Sequence, residues 1–81
     1  MRDAVRNMKL GNKLSDFMKR NGNMKIVDLA RKCNYEISVT TFGMWKRDGY
    51  VTPTTVEYFL SMFPDENEEE WMSLFDSDKA A

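Results

Sequence analysis

The stretch from Val39 to Pro53, VTTFGMWKRDGYVTP, combines small polar and apolar side chains with two adjacent cations. Threonine hydroxyls donate and accept hydrogen bonds, while the methyl groups of threonine and methionine favour other methyl groups. Lysine and arginine at the end of this stretch bind anions such as phosphate. These residue types therefore favour binding to an anionic surface over catalysis.

The rest of the sequence lacks the residues of common catalytic and metal sites. It contains no histidine, which excludes nucleophile–histidine pairs, and Cys33 alone cannot hold zinc. The acidic run from Asp65 to Glu70 does not have the spacing of a calcium loop. We expect it to form the first turn of a helix, where the helix dipole favours anions. The sequence therefore predicts a protein that is not an enzyme and that holds no cofactor or metal.

Charge is unevenly distributed along the chain, although the net charge is only −1. Residues 1–50 contain eleven Lys and Arg against five Asp and Glu, whereas residues 51–81 contain one Lys against eight Asp and Glu. A small domain with one basic end and one acidic end orients itself toward an anionic partner. The alternative interpretation is a solvated surface whose charges are uneven without consequence.

Length and cysteine content suggest one small domain in a reducing compartment. The chain has 81 residues, which corresponds to a single domain with a modest core. Its one cysteine cannot form an intrachain disulfide. The first residues contain no apolar signal core, and no apolar run reaches the roughly 18 residues that a membrane helix needs. We therefore expect a cytoplasmic protein without a membrane partner.

Apolar residues at helical spacing predict an all-α fold of five short helices. We expect Ser38 and Thr52 to cap the third and fourth helices, and Asp65 to cap the fifth. Residues 1–8 are expected to form an arm or an extension of the first helix, and residues 77–81 a frayed tail. The domain proper then spans residues 9–76. Its predicted helices cover about residues 8–21, 25–33, 39–47, 53–63 and 65–76.

The second and third predicted helices are joined by a turn, and the third has two different sides. Phe42 and Trp45 form its buried edge, whereas small polar residues lie on its other faces. This arrangement is typical of a helix-turn-helix, whose second helix enters the major groove of DNA.

Residues 10–63 resemble the Cro/lambda-repressor-type (XRE) helix-turn-helix family. The family's motifs Leu-Gly-x-x-Leu, Leu-Ala, Ser-x-x-Thr-(Ile/Val)-x-x-Trp and Gly-x-x-x-Pro occur in order and at near-correct spacing. The resemblance implies a compact five-helix lambda-repressor-like domain with a recognition helix at residues 39–47. The matching residues are Leu10, Gly11, Leu14, Leu29, Ala30, Ser38, Thr41, Phe42, Trp45, Gly49 and Pro53.

This sequence departs from the family pattern at three points. The turn between Ala30 and Ser38 is about two residues longer than the family's tightest form, and the Trp-to-Gly spacing is one residue longer. The family often pairs a Glu after the Trp with an Arg near the end of the first helix. Lys46 and Met18 occupy those two places, so both halves of the ion pair are absent together.

The outward side of the third helix is predicted to contact bases in the major groove. Gly43 is unusual there because glycine destabilises a helix interior by roughly 0.5–1 kcal/mol relative to alanine. Either the helix backbone approaches the groove closely, or nothing bulkier fits against the second helix or a symmetry mate. The predicted base-contacting residues are Val39, Thr40, Thr41, Gly43 and Met44.

Phosphate contacts are predicted around the same helix. Lys25 lies at the start of the second helix, where free N–H groups attract anions, and the fourth helix offers a similar end. Cations after Trp45 are placed to reach the same strand. The predicted phosphate-contacting residues are Lys25, Lys46, Arg47, Tyr50, Thr54 and Thr55.

The fifth helix carries three large apolar residues, Trp71, Met72 and Phe75, which form either a homodimer surface or part of the core. We expect a sequence-specific DNA-binding transcription regulator, Cro-like in size and of phage or prophage type. It would bind double-stranded operator DNA as a homodimer, without a small-molecule ligand. The alternative is a protein-interaction module with the same fold, such as an antitoxin, an anti-repressor or a phage inhibitor of a host protein. The acidic C-terminal third favours that alternative.

Overall fold

A computed structural model describes residues 4–80, with side chains described for residues 4–75. The chain forms a mostly helical domain with five helices and a small two-stranded sheet. The predicted number of helices is confirmed, and the sheet is an element that the sequence did not predict. In chain order the elements are β1 (Val5–Arg6), α1 (Met8–Arg20), α2 (Ile26–Lys32), α3 (Val39–Asp48), β2 (Tyr50–Val51), α4 (Pro53–Met62) and α5 (Glu68–Ala80).

Strands β1 and β2 pair antiparallel, with Val5 opposite Val51 and Arg6 opposite Tyr50. Residues 5 and 6 therefore form neither the arm nor the helix extension that the sequence predicted, while residues 1–3 lie outside the described residues. The guanidinium carbon of Arg6 lies 5.2 Å from the centre of the Tyr50 ring. The sheet thus fastens the start of the chain to the segment between α3 and α4.

The predicted caps of α3 and α4 are confirmed. The Ser38 hydroxyl accepts a hydrogen bond from the backbone N–H of Thr41 at 3.0 Å. The Thr52 hydroxyl accepts one from the backbone N–H of Thr55 at 3.1 Å, and proline follows at the first helical position. Both caps satisfy N–H groups that have no partner within the helix. Local sequence therefore fixes where each of these two helices begins.

The predicted cap of the fifth helix is wrong. Asp65 lies in a turn in which the N–H of Glu66 donates to the Phe63 carbonyl at 3.1 Å. The side chain of Asn67 instead accepts from the N–H of Glu70 at 3.3 Å, so α5 begins at Glu68. The backbone is helical to Ala80, and fraying of residues 77–81 stays a prediction.

A cluster of aromatic rings lies at the centre of the core. Trp45 stacks on Phe42 with ring centres 5.8 Å apart and meets Trp71 edge-on at 6.0 Å. Such pairs stabilise a fold beyond the area that they bury. The rings belong to α1, α3, α4, α5 and the turn after α4, so the cluster joins these helices. Its members are Phe17, Phe42, Trp45, Phe59, Phe63 and Trp71.

The proposed dimer surface on α5 is wrong for two of its three residues. Trp71 is 0% exposed and Phe75 is 5% exposed, because α5 packs on α1 and α4. Met72 is half-buried against the same core. The helix covers the open side of the aromatic cluster, and core packing was the correct alternative for Trp71 and Phe75.

Gly11 allows α1 to lie directly against α3. A Cβ atom at this position would come within 2.8 Å of the Lys46 carbonyl oxygen and 2.9 Å of the Trp45 carbonyl oxygen. The indole N–H of Trp45 donates to the Leu10 carbonyl at 3.1 Å. These contacts hold α3 at a fixed distance from α1, so Gly11 positions the helix that carries the predicted site.

The connection from α2 to α3 turns sharply through two left-handed residues. Asn34 has φ 55° and Tyr35 has φ 59°, and the N–H of Tyr35 donates to the Ala30 carbonyl at 2.9 Å. Ile37 follows and is 4% exposed, so it anchors the end of this turn in the core. The turn thus reverses the chain direction, and α3 packs against α2.

Candidate functional site

The outward side of α3 carries a patch of exposed and half-buried residues. Val39 and Thr40 are exposed at its start, and Gly43 and Met44 are half-buried one turn later. Residues four apart on a helix lie on the same side, so Val39 aligns with Gly43 and Thr40 with Met44. Phe42 and Trp45 point into the core, as predicted. The structure therefore brings these four predicted base-contacting residues onto one surface.

Thr41 differs from the other predicted base-contacting residues. Its hydroxyl oxygen accepts a hydrogen bond from the Ser38 hydroxyl at 3.0 Å, and its own N–H donates to Ser38. The side chain is also half-buried. Thr41 thus belongs first to the cap of α3, and its hydroxyl is already engaged in the free protein.

The space around Gly43 decides between the explanations for this glycine. A Cβ atom added at Gly43 would meet no atom of the chain within 4 Å among the residues described. Crowding against α2 is therefore excluded as the reason for glycine at this position. Close approach of the α3 backbone to a DNA groove or to a symmetry mate stays a prediction.

A cleft with a volume of about 420 Å³ lies beside α3, between the second half of α1 and the start of α2. Lys25 and Lys46, both predicted to contact phosphate, line this cleft together with Lys19. Met18 and Met24 contribute apolar wall. The structure thus brings two predicted residues together and adds Lys19, which the sequence analysis missed.

Within residues 4–75, none of the three lysines of this cleft forms an ion pair. The ion pairs found there involve other cations, namely Lys13, Arg20, Arg31 and Arg47. Met18 and Lys46 bring no negative charge to the cleft. The sequence predicted a phosphate contact at Lys46, whereas residue spacing gave no signal for Lys19.

Arg47 is less available than predicted. Its Nε and Nη2 atoms donate to the Asp48 carboxylate at 3.1 and 3.0 Å. The guanidinium holds the pKa of Asp48 below its ordinary value, because it hydrogen-bonds to the charged carboxylate and attracts it. A phosphate at Arg47 must therefore compete with Asp48 or use the remaining donors of the guanidinium.

The other predicted phosphate-contacting residues follow α3 and differ in whether they are available to a phosphate. Gly49 ends α3 in the left-handed conformation at φ 67°, and Tyr50 and Thr54 follow with exposed side chains. The N–H of Thr55 donates to the Thr52 hydroxyl. A phosphate at that N–H must therefore compete with the helix cap, and the contact stays a prediction.

The acidic residues before and within α5 form ion pairs with α1. Glu66 lies 3.3 Å from Arg20 and also accepts from the indole N–H of Trp71 at 3.3 Å. Glu70 lies 3.3 Å from Lys13. The first turn of α5 is acidic, as predicted, and among the described residues no group of acidic, cysteine or histidine side chains has the arrangement of a metal site.

In the described part of the chain, every helix is too short or too polar to cross a membrane. Comparison with protein-family models, with curated proteins and with solved structures finds no match to this chain. The site is therefore interpreted from its own geometry.

Proposed function

We propose that this protein is a sequence-specific DNA-binding transcription regulator with a lambda-repressor-like helix-turn-helix. In this proposal α2 and α3 form the motif, and α3 is the recognition helix that enters the major groove. The observation that carries the proposal is the cleft beside α3, which three lysines line without forming an ion pair among the described residues. The resemblance of residues 10–63 to the XRE family supports the same assignment.

The positions of the charged side chains favour electrostatic binding to DNA. Lys19, Lys25 and Lys46 surround the cleft, and each phosphate that they neutralise releases counterions from DNA. The carboxylates of Glu66 and Glu70 are paired with Arg20 and Lys13 of α1. In this proposal the surface with the lysine cleft faces DNA. The ion pairs with α1 neutralise part of the negative charge of Glu66 and Glu70.

Contacts with α1 hold the recognition helix in a fixed position. The Trp45 indole is bonded to the Leu10 carbonyl, and Gly11 lets the two helix backbones touch. A fixed helix loses little conformational freedom on binding, which favours affinity. Binding as a homodimer would place two such helices about one turn of DNA, roughly 34 Å, apart.

Selection of bound sequences from random duplex DNA tests the proposal. We expect an enriched palindromic motif, and affinity for it that falls steeply as the salt concentration rises. Lys25→Ala and Lys46→Ala should each weaken binding to all sequences and reduce the salt slope by about one. Lys13→Ala is the matched control, because it removes the same charge from a residue paired with Glu70.

The alternative function predicts other results in the same experiments. A protein-interaction module of this fold would enrich no motif and would bind DNA weakly and without regard to sequence. It would instead retain a stoichiometric protein partner. Those results together would overturn the proposal in favour of an antitoxin, an anti-repressor or an inhibitor of a host protein.

A further inference from the structure

The outward side of α3 lacks the groups that usually distinguish bases by hydrogen bonds. The strongest direct contacts pair Arg or Lys with guanine, and Asn or Gln with adenine. Residues 39–47 contain no Asn or Gln. Lys46 lines the cleft beside α1, and the Arg47 guanidinium is bonded to Asp48. Neither cation lies in the middle of the helix face that would meet the bases.

That face offers methyl groups instead. Val39 is 45% exposed, and Met44 is partly exposed one turn later. Thr40 adds a methyl group beside them. The open space at Gly43 lies between these side chains and reaches the helix backbone. The surface is therefore an apolar shelf that no other described side chain covers at Gly43.

We propose that α3 recognises C5-methyl groups in the major groove, so that its DNA site is rich in thymine. Thymine presents such a methyl group beside its O4 acceptor, and 5-methylcytosine presents one at the same place. The shelf is defined here as Val39, Thr40, Gly43 and Met44. This inference rests on the proposed DNA-binding function and specifies what the recognition helix reads.

Charge complementarity identifies the occupant of the shelf as DNA. An exposed apolar face alone fits a protein as well as a base edge, but Lys46, three residues after Gly43 on α3, lines the lysine cleft. DNA has phosphates along its backbone and thymine methyl groups in its major groove. It can therefore contact the lysine cleft and the shelf at the same time. An apolar protein partner would leave Lys19, Lys25 and Lys46 without counter-charges.

Deoxyuridine substitution tests the inference on the selected DNA motif. Replacing one thymine by uracil removes the C5-methyl group and leaves the hydrogen-bonding edge unchanged. At each contacted position we expect affinity to fall roughly fourfold, the effect of losing one buried methyl group. At those positions 5-methylcytosine should bind more tightly than cytosine by a similar factor.

Variants of the shelf connect the effect to named residues. Val39→Ala and Met44→Ala should reduce the ratio of thymine to uracil affinity toward one, and neither side chain is among the buried residues of the core. Lys25→Ala is the matched control, because it should weaken both duplexes equally and leave that ratio unchanged. Thermal unfolding of each variant verifies that the domain is folded.

The outcomes separate the inference from the proposed function. An enriched motif whose thymine and uracil duplexes bind equally would overturn methyl recognition and leave sequence-specific binding in place. A motif read mainly at guanine would do the same. Failure to enrich any motif would overturn both, whereas a methyl-dependent ratio that disappears in Val39→Ala would establish the inference.

Discussion

Two glycines in helix interiors should respond in opposite ways to the same substitution. Gly43→Ala adds a methyl group to α3 where no described atom lies within 4 Å. Gly11→Ala adds the same group to α1, where the Lys46 and Trp45 carbonyl oxygens would be 2.8 and 2.9 Å away. The chemical change is identical, so any difference in the free energy of unfolding reports the surroundings.

The structure sets the expected magnitudes. Gly43→Ala should raise the free energy of unfolding by roughly 0.5–1 kcal/mol, the ordinary advantage of alanine in a helix. For a domain of this size that corresponds to an increase in Tm of about 2–8 °C. Gly11→Ala should lower the free energy of unfolding, because separating two packed backbones costs about 1–3 kcal/mol and exceeds the helix gain.

Thermal and urea unfolding of both variants provide the assay. The same samples should show DNA affinity falling about 5- to 150-fold for Gly43→Ala, because a well-packed interface resists an added methyl group as a core does. A destabilised Gly43→Ala protein, or an unaffected Gly11→Ala protein, would refute the description of the helix packing. Unchanged DNA affinity in stable Gly43→Ala would refute close approach of the α3 backbone to the groove.

Three further predictions concern the core, one ion pair and the thiol. Trp71→Ala should lower the free energy of unfolding by about 3–5 kcal/mol, measured by urea unfolding, because this residue is 0% exposed within the aromatic cluster. Asp48 has a lowered pKa, so its contribution to stability is present above its unfolded pKa and is lost as pH falls through the folded value. Carbon-detected NMR titration should show that pKa returning toward its ordinary value in Arg47→Ala. Burial raises the pKa of the Cys33 thiol, so an aromatic disulfide reagent should react with it only as fast as the domain opens.

Helices and caps were predictable because they depend on local sequence. The periodic apolar residues of α1 and α4, and the caps at Ser38 and Thr52, lie within a few positions of what they stabilise. The cap of α5 was misassigned because Asp65 and Asn67 are both good capping residues two positions apart. Only the turn at Phe63–Glu66 decides between them.

Elements that depend on distant contacts could not be predicted in the same way. β1 is two residues long, too short for an alternating pattern, and its partner Tyr50–Val51 follows three intervening helices. The burial of Trp71 depends on rings from α1, α3 and α4 that meet only in the folded chain. A helix pattern shows that one side is apolar, without showing whether the same chain covers it.

The candidate site was partly predictable for the same reason. The outward positions of α3 follow from helical spacing once Phe42 and Trp45 are placed inside. The contribution of Lys19 to the cleft, and the engagement of Arg47 by Asp48, depend on side-chain placement that spacing does not give. The same holds for the open space at Gly43.

Mapping of backbone amide shifts by NMR during titration with the selected duplex tests the central claim most directly. The account predicts that the largest changes occur in α3, with further changes at Lys25 and Thr54. Residues 68–75 of α5 should change little. Changes concentrated on α5, or none at all at saturating DNA, would contradict the assignment of α3 as a DNA-recognition helix.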